Sequence, residues 1–390
     1  MPSTAIPWRR PLQGRDRDEE HRVSTPLELL FDLCFVVGVS AAAANLHHNL
    51  ELGRIGPAVG TYAMVFFAIW WAWVNYSWYA SAYDTEDVVH RLMTFVIMIG
   101  VLVLAAAIPA AKGSQPDYRL LVVGYVIMRI ALVPMWLRVA RDYPATRNAA
   151  LRYAVGISCV QLLWIARLAF DTGAVGAGSF VAFALLEMSV PYFAELRTGE
   201  LTPWHPEHIT ERYELFTIIV LGEVILATTE AISASLNLNG VSVDLLMVVA
   251  GGLLLVLALW WLYFKRPMTE ALADHRSFYF GYAHYVVLGA VAAVGAALAT
   301  SVDLVEHEAQ ISHLAVALVL ATAVSAYLLA LGSIHAVTRL DLSIMTAPTV
   351  VSLAVFSGSV LGLTTGHIGA SVLLVGLAVT GAVVDHQIRG

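Results

Sequence analysis

Charged residues are scarce in this sequence. Asp, Glu, Lys and Arg make up 13% of its 390 residues, about half of the ~25% that is usual in soluble domains. Lysine occurs only twice and the net charge is -7, so we expect no basic surface and no nucleic-acid partner. The two cysteines, Cys34 and Cys159, lie in separate apolar runs, which excludes a disulfide framework, a zinc knuckle and an iron–sulfur centre. We therefore expect no cofactor.

Hydrophobic residues are abundant instead. They make up 59% of the chain and form about twelve runs, each near the ~20 residues that cross a hydrocarbon core as a helix. The sequence therefore predicts an all-α polytopic membrane protein with about twelve transmembrane helices, surrounded by membrane lipids. We expect an N-terminal tail at 1–25, six helices at 26–197, a central loop at 198–210 and six more helices at 211–390.

The distribution of Lys and Arg predicts the orientation, because cytoplasmic loops retain these residues. Of the 22 Lys and Arg residues, 17 lie in the N-terminal tail, the even-numbered loops and the C-terminus. Arg54, Lys112 and Arg119 lie on the other side, and Arg129 and Arg167 lie within predicted spans. Both termini are therefore expected in the cytoplasm, with the first span acting as an uncleaved signal anchor in the plasma membrane.

Matches between the two halves of the chain indicate an internal repeat. At a spacing of 185 residues, the matches are Thr25 with Thr210, Phe31 with Phe216, His90 with His275, and Arg91 with Arg276. Aromatic clusters precede both His–Arg pairs. Six spans in each half would give two parallel six-helix repeats, related by an axis along the membrane normal. The alternative is that these aromatic residues only belt the membrane interface.

Two carboxylates open the first predicted span. Glu28 and Asp32 lie four residues apart and therefore on one helix face, where two ionised groups repel unless a cation or a shared proton intervenes. Glu28 follows Thr25 and Pro26 in a capping-box pattern with proline at the first helical position, which favours a structural role. Asp32 lies a turn deeper, where capping does not explain it, so we expect a functional role.

Further ionisable residues are predicted at membrane depth. Glu223 follows Gly222 and lies about 18 Å along the seventh predicted span, which begins at Glu211; Glu187 and Arg129 are comparably deep. A charged group in hydrocarbon costs ~3 kcal/mol, so each of them needs a partner or a function. Arg129 can pair with either Glu187 or Glu223, and the other carboxylate then remains a protonatable site.

Histidine occurs at three further candidate positions. His284, in the ninth predicted span, is expected to be buried and neutral, with a proton relay as the alternative. Two clusters of acids and histidines precede the third and ninth spans, and such a spacing can collect a divalent cation. They comprise Asp84, Asp87, His90 and Arg91, and Glu270, Asp274, His275 and Arg276. Runs of this kind more often form a solvated cytoplasmic hairpin, so we expect Asp84 and Asp87 not to be essential metal ligands.

Several segments resemble one known family. The first predicted span contains Glu-Leu-Leu-Phe-Asp-Leu-Cys-Phe-Val and the seventh contains Glu-Arg-Tyr-Glu-Leu-Phe-Thr-Ile-Ile-Val-Leu-Gly-Glu. Both, together with the stretch 71–95, are similar to segments of the bacterial low temperature requirement A family. The residues at motif positions are Glu28, Asp32, Arg91, Glu211, Arg212 and Glu223. Leu30 stands where the family prefers phenylalanine. The resemblance implies a bacterial multi-pass membrane protein, but the family is named after a growth phenotype, which implies little about a substrate.

Three classes of function fit these features. A proton- or ion-coupled transporter, with Asp32, Glu223 and His284 along a central cavity, accounts for the two halves, the minimal loops and the deep carboxylates; its solute would be an unknown small molecule or ion. An intramembrane enzyme acting on a lipid or isoprenoid would use the acidic clusters to hold magnesium against a diphosphate. A structural or sensory protein would use buried ion pairs to fix helix register. We favour transport over catalysis.

Overall fold

The protein is all-helical in the computed structural model, which describes residues 6–16, 19, 23–83, 85–111, 117–169, 174–238, 240–272, 276–306 and 309–389. The helices are α1 (Pro26–Glu51), α2 (Ile55–Tyr83), α3 (Val88–Ala107), α4 (Arg119–Asp142), α5 (Arg147–Arg167), α6 (Ala174–Pro191), α7 (Pro206–Leu238), α8 (Val243–Phe264), α9 (Arg276–Val305), α10 (His313–Arg339), α11 (Thr346–Leu363) and α12 (Ile368–Arg389). Within the described residues, 11 helices are long and apolar enough to cross a membrane, and Ile368–Val384 is a shorter apolar helix. The predicted all-α polytopic fold is confirmed.

Contacts divide the chain into two compact units. The first comprises Met1–Gly38 and Met64–Tyr213, and the second comprises Val39–Ala63 and Glu214–Gly390. In the first unit, α3 packs on α4, α4 on α5 and α5 on α6. In the second unit, α9 packs on α10, α10 on α11 and α11 on α12, and α12 also packs on α8. The division into two six-helix repeats stays a prediction.

Helix α7 begins earlier than its sequence suggests. The predicted span starts at Glu211, whereas the helix starts at Pro206, because proline is well suited to the first turn of a helix. The sequence predicts His208 in the central loop, but the structure places it in the first turn of α7. Glu211 lies more than a turn inside the helix, and its Oε2 accepts a hydrogen bond of 2.9 Å from the backbone N–H of Ser24.

Helices α3 and α4 approach each other closely where two glycines meet. A Cβ atom on Gly124 would lie 2.6 Å from the backbone nitrogen of Leu104, and a Cβ atom on Gly100 would lie 2.8 Å from the carbonyl oxygen of Gly124. Small residues at such crossings let helix backbones pack tightly in membranes. Gly222 of α7 differs, because a Cβ atom there would meet nothing within 4 Å.

Candidate functional site: ionisable residues within the helices

Asp32 of α1 forms an ion pair with Arg212 of α7. Its Oδ1 lies 2.6 Å from Nη2 of Arg212, and both side chains are fully buried. The indole N–H of Trp73 donates to the same oxygen at 2.7 Å, and Arg212 also donates to Oγ of Ser77 at 3.3 Å. The buried carboxylate is therefore compensated by a full positive charge, and removal of either partner would leave the other charge uncompensated.

Glu28 caps α1 and contacts the start of α7. The backbone N–H of Thr25 donates to Oε2 of Glu28 at 2.9 Å, and the backbone N–H of Glu28 donates to Oγ1 of Thr25 at 3.3 Å. These two bonds confirm the predicted capping box. Nε2 of His208 lies 3.2 Å from Oε1 of Glu28, and both side chains are buried. Two polar pairs therefore join α1 to the first turns of α7.

Glu187 of α6 is the acceptor in a second buried cluster. Its Oε2 accepts from Nη2 of Arg129 at 2.9 Å and from the hydroxyl of Tyr125. Its Oε1 accepts from Nε2 of Gln161 at 2.7 Å and from the indole N–H of Trp164 at 3.2 Å. Arg129 also donates to the hydroxyl oxygen of Tyr125 at 2.6 Å. Four donors on α4 and α5 therefore hold one carboxylate of α6.

Glu223 is the deep carboxylate that remains. It lies near the midpoint of the 33-residue helix α7 and is half-buried. Across the described part of the chain, Glu223 makes no hydrogen bond or ion pair. The side chains of Ile225 and Leu226 beside it are 51% and 53% exposed. Arg129 pairs with Glu187, so it is not the counter-ion of Glu223, which has none among the described residues.

His284 of α9 is buried in a polar contact of its own. Its Nδ1 lies 2.7 Å from the carbonyl oxygen of Phe280, and its Nε2 lies 3.0 Å from the hydroxyl of Tyr263. Because a carbonyl oxygen only accepts, Nδ1 must carry a proton, and Nε2 can then accept from the tyrosine hydroxyl. Both ring nitrogens have partners in the neutral form, which fits the buried neutral histidine that the sequence favoured.

Asp87 caps α3 and is covered by the N-terminal segment. Its carboxylate accepts from the backbone N–H groups of His90 and Arg10, each at 2.8 Å, and forms an ion pair with Arg138. The carbonyl oxygen of Pro7 accepts from the first backbone N–H of α3 at 3.1 Å, so this segment lies across the start of the helix. Asp87 and His90 are buried, and the expected solvated hairpin is therefore wrong for both.

These contacts also determine the charge state of Asp87. Burial by itself would raise the pKa of its carboxyl group. The hydrogen bond from Arg138, the two backbone N–H groups and the guanidinium charge outweigh that effect and lower the pKa to about 2. Asp87 is therefore ionised throughout the physiological pH range. Its oxygens accept hydrogen bonds from the backbone at the start of α3 and from Arg138.

The other members of the two acidic and histidine clusters have different environments. Arg91 is half-buried and Glu270 is exposed, whereas Arg276 donates to the carbonyl oxygen of Thr338 at 2.6 Å. Asp84, Asp274 and His275 lie outside the described residues. Among the residues that are described, no group of three or more His, Cys, Asp or Glu side chains is placed to hold a metal ion.

Most of these partners are not predictable from the sequence, although a local pattern indicates some of them. Tyr125 precedes Arg129 by four residues and Gln161 precedes Trp164 by three, so each pair shares a helix face. That spacing identifies candidate donors at membrane depth. No local pattern indicates Arg212 as the partner of Asp32.

The apolar spans and the charged pairs between their helices define a multi-pass membrane protein. Residues 23–383 match the family described as bacterial low temperature requirement A protein (LtrA), and the chain belongs to this family. It is similar to an uncharacterized protein, RA0937, of Rhizobium meliloti (strain 1021), with 26% identity over 304 residues that cover 71% of this chain and 69% of that protein. No solved structure matches the chain. The resemblance inferred from the sequence is confirmed.

Proposed function

We propose that this protein is a proton-coupled membrane transporter in which Glu223 takes up and releases the proton. The observation that supports this role is the lack of a partner for Glu223 among the described residues, whereas Asp32 and Glu187 are held in ion pairs. An ionised carboxylate in hydrocarbon costs ~3 kcal/mol. A carboxylate at this depth therefore needs a function, and we assign proton exchange to it.

The other deep charges have a structural role in this proposal. The Asp32–Arg212 and Arg129–Glu187 pairs each combine opposite charges in one buried cluster, so they fix helix positions without exchanging protons. His284 has partners for both ring nitrogens. The solute remains an unknown small molecule or ion. Catalysis is less well supported, because the oxygens of Asp87 are already engaged by Arg138 and by backbone N–H groups.

The proposal includes a location and an arrangement of the chain. Both termini face the cytoplasm from the plasma membrane, because most Lys and Arg residues lie in segments on that side, although Arg212 lies within α7. Consecutive helices pack in the same order in each unit, α3 to α6 in the first and α9 to α12 in the second. This order supports two parallel six-helix repeats, the arrangement seen in one large class of transporters.

Infrared spectroscopy of the full-length protein in lipid bilayers tests the proton site. The wild-type protein should show a protonated-carboxyl band that disappears as the pH is raised. Glu223→Gln should remove this band, since an amide has no such proton to lose. Glu230→Gln is the matched control, because Glu230 lies two turns further along the same helix and is exposed; it should leave the band unchanged.

Proton movement in liposomes tests the coupling. Vesicles containing the protein and an entrapped pH-sensitive dye would receive a pH gradient, followed in turn by inorganic cations, amino acids and sugars. We expect at least one of these solutes to speed the collapse of the gradient with wild-type and Glu230→Gln protein, but not with Glu223→Gln. A titrating band that persists in Glu223→Gln, or solute-dependent proton movement equal to wild type, would contradict the role of Glu223.

A further inference from the structure

The second unit contains a pocket between α8, α10, α11 and α12. Its volume is about 780 Å³, within the ~300–1,000 Å³ that is usual for sites of small ligands. The walls are apolar and include Leu328 and Leu331 of α10 and Val351 and Ala354 of α11. The pocket extends to Val350, whose side chain is 59% exposed. An apolar chain can therefore reach its interior from the lipid-facing surface.

Positive charge gathers at one end of this pocket. Lys265 and Arg266 follow the last turn of α8 and line the pocket together with His335 of α10. Nζ of Lys265 is buried and, among the described residues, has no hydrogen-bond partner. Burial and the neighbouring charge of Arg266 lower the pKa of Lys265, which is the response of an ammonium group without a counter-ion.

The charges facing His335 come from its own helix and from two neighbouring segments. Arg266, Arg339 and the carboxylate of Glu270 lie within electrostatic range of its ring. Among the described residues, Glu270 is the carboxylate that acts on His335, whereas Arg266 and Arg339 are cationic and Lys265 lines the same pocket. Helices α8 and α10 both end beside the pocket, on the side that the Lys and Arg distribution assigns to the cytoplasm.

We propose that this pocket binds an anionic phospholipid, with its phosphate at Lys265 and Arg266 and an acyl chain along the apolar wall of α10 and α11. A soluble anion would satisfy the cations but would leave the apolar wall without a ligand. A neutral lipid would fill the wall but would leave Nζ of Lys265 unpaired. Basic pockets between transmembrane helices on the cytoplasmic side are suited to anionic headgroups, since that leaflet is negatively charged.

Lipid titration of the purified full-length protein in detergent tests this site. Native mass spectrometry would count retained molecules of phosphatidylglycerol and, separately, of phosphatidylcholine. Wild-type protein should retain phosphatidylglycerol preferentially. The double variant Lys265→Gln/Arg266→Gln should bind it about 30-fold more weakly, as expected for two cations near the phosphate, and should bind phosphatidylcholine as wild type does.

Two further variants distinguish a specific effect of the pocket cations from a general loss of positive charge and from misfolding. Arg141→Gln/Arg147→Gln removes two exposed cations at the α4–α5 connection and should leave phosphatidylglycerol binding within twofold of wild type. Lys265→Arg/Arg266→Lys retains both charges and should retain preferential binding. The proposal is overturned if the pocket variant binds phosphatidylglycerol like wild type, if the two glutamine double variants lose equal affinity, or if inorganic phosphate displaces the lipid at equal concentration.

Discussion

Replacement of Glu187 by glutamine tests the contribution of the Arg129 pair to stability. The substitution keeps the size of the side chain but removes its charge, and it leaves a guanidinium group that is 2% exposed facing a neutral amide. The new NH₂ group would also point at donors, since both oxygens of Glu187 now accept hydrogen bonds. Removing one partner of a buried ion pair costs ~3–5 kcal/mol, and we expect a loss of that size in the free energy of unfolding.

Glu223→Gln is the matched comparison, because it makes the same chemical change on another membrane-spanning helix. Glu223 has no partner among the described residues, so we expect the free energy of unfolding to stay within ~0.5 kcal/mol of wild type. Both variants would be unfolded in mixed micelles by a rising fraction of denaturing detergent, with tryptophan fluorescence as the signal. The two unfolding midpoints should differ clearly.

Two results would refute this reasoning. Wild-type stability of Glu187→Gln would mean that Arg129 is compensated by other groups or by water. An equal loss in both variants would mean that Glu223 has a partner in the folded protein, and the basis for its role as the proton site would disappear.

Three further predictions concern the N-terminal segment, helix packing and topology. The pKa of Asp87, about 2, lies below the ~3.9 of free aspartate. The contribution of Asp87 to holding the N-terminal segment on α3 is therefore complete above about pH 4 and is lost as the pH falls towards 2. Asp87→Asn should raise the hydrogen-exchange rate of residues 7–12 already at neutral pH. Gly124→Ala should cost ~1–3 kcal/mol by overpacking against Leu104, measured by the same micelle unfolding, whereas Gly222→Ala should not destabilise. A C-terminal alkaline phosphatase fusion should be inactive, and an active fusion would contradict the cytoplasmic terminus.

The helices could be predicted from the sequence because hydrocarbon imposes a local requirement. Each span must satisfy its own backbone hydrogen bonds over ~20 residues. This requirement produces runs of consecutive apolar residues, which can be recognised in the sequence. The start of α7 was predicted at Glu211 instead of Pro206, since the polar residues between them carry no hydropathy signal.

The partners of the ionisable residues were much less predictable. Helical periodicity indicates which residues share a face of one helix, but it does not indicate which face of another helix lies opposite. Asp32 and Arg212 are 180 residues apart, so their pairing depends on the path of all the intervening helices. The burial of Asp87 was missed for a different reason, because the segment that covers it contacts α3 through backbone atoms.

The separation of Asp32 from Arg212 has a consequence for biogenesis. Asp32 enters the membrane with α1, and its positive partner is synthesised 180 residues later. At ~5–20 residues per second, the nascent chain spends roughly 10–40 s with Asp32 in place before Arg212 is synthesised. During this interval α1 must stay near the translocon or carry a protonated Asp32. Its contact with α7 can form only after α7 has been synthesised.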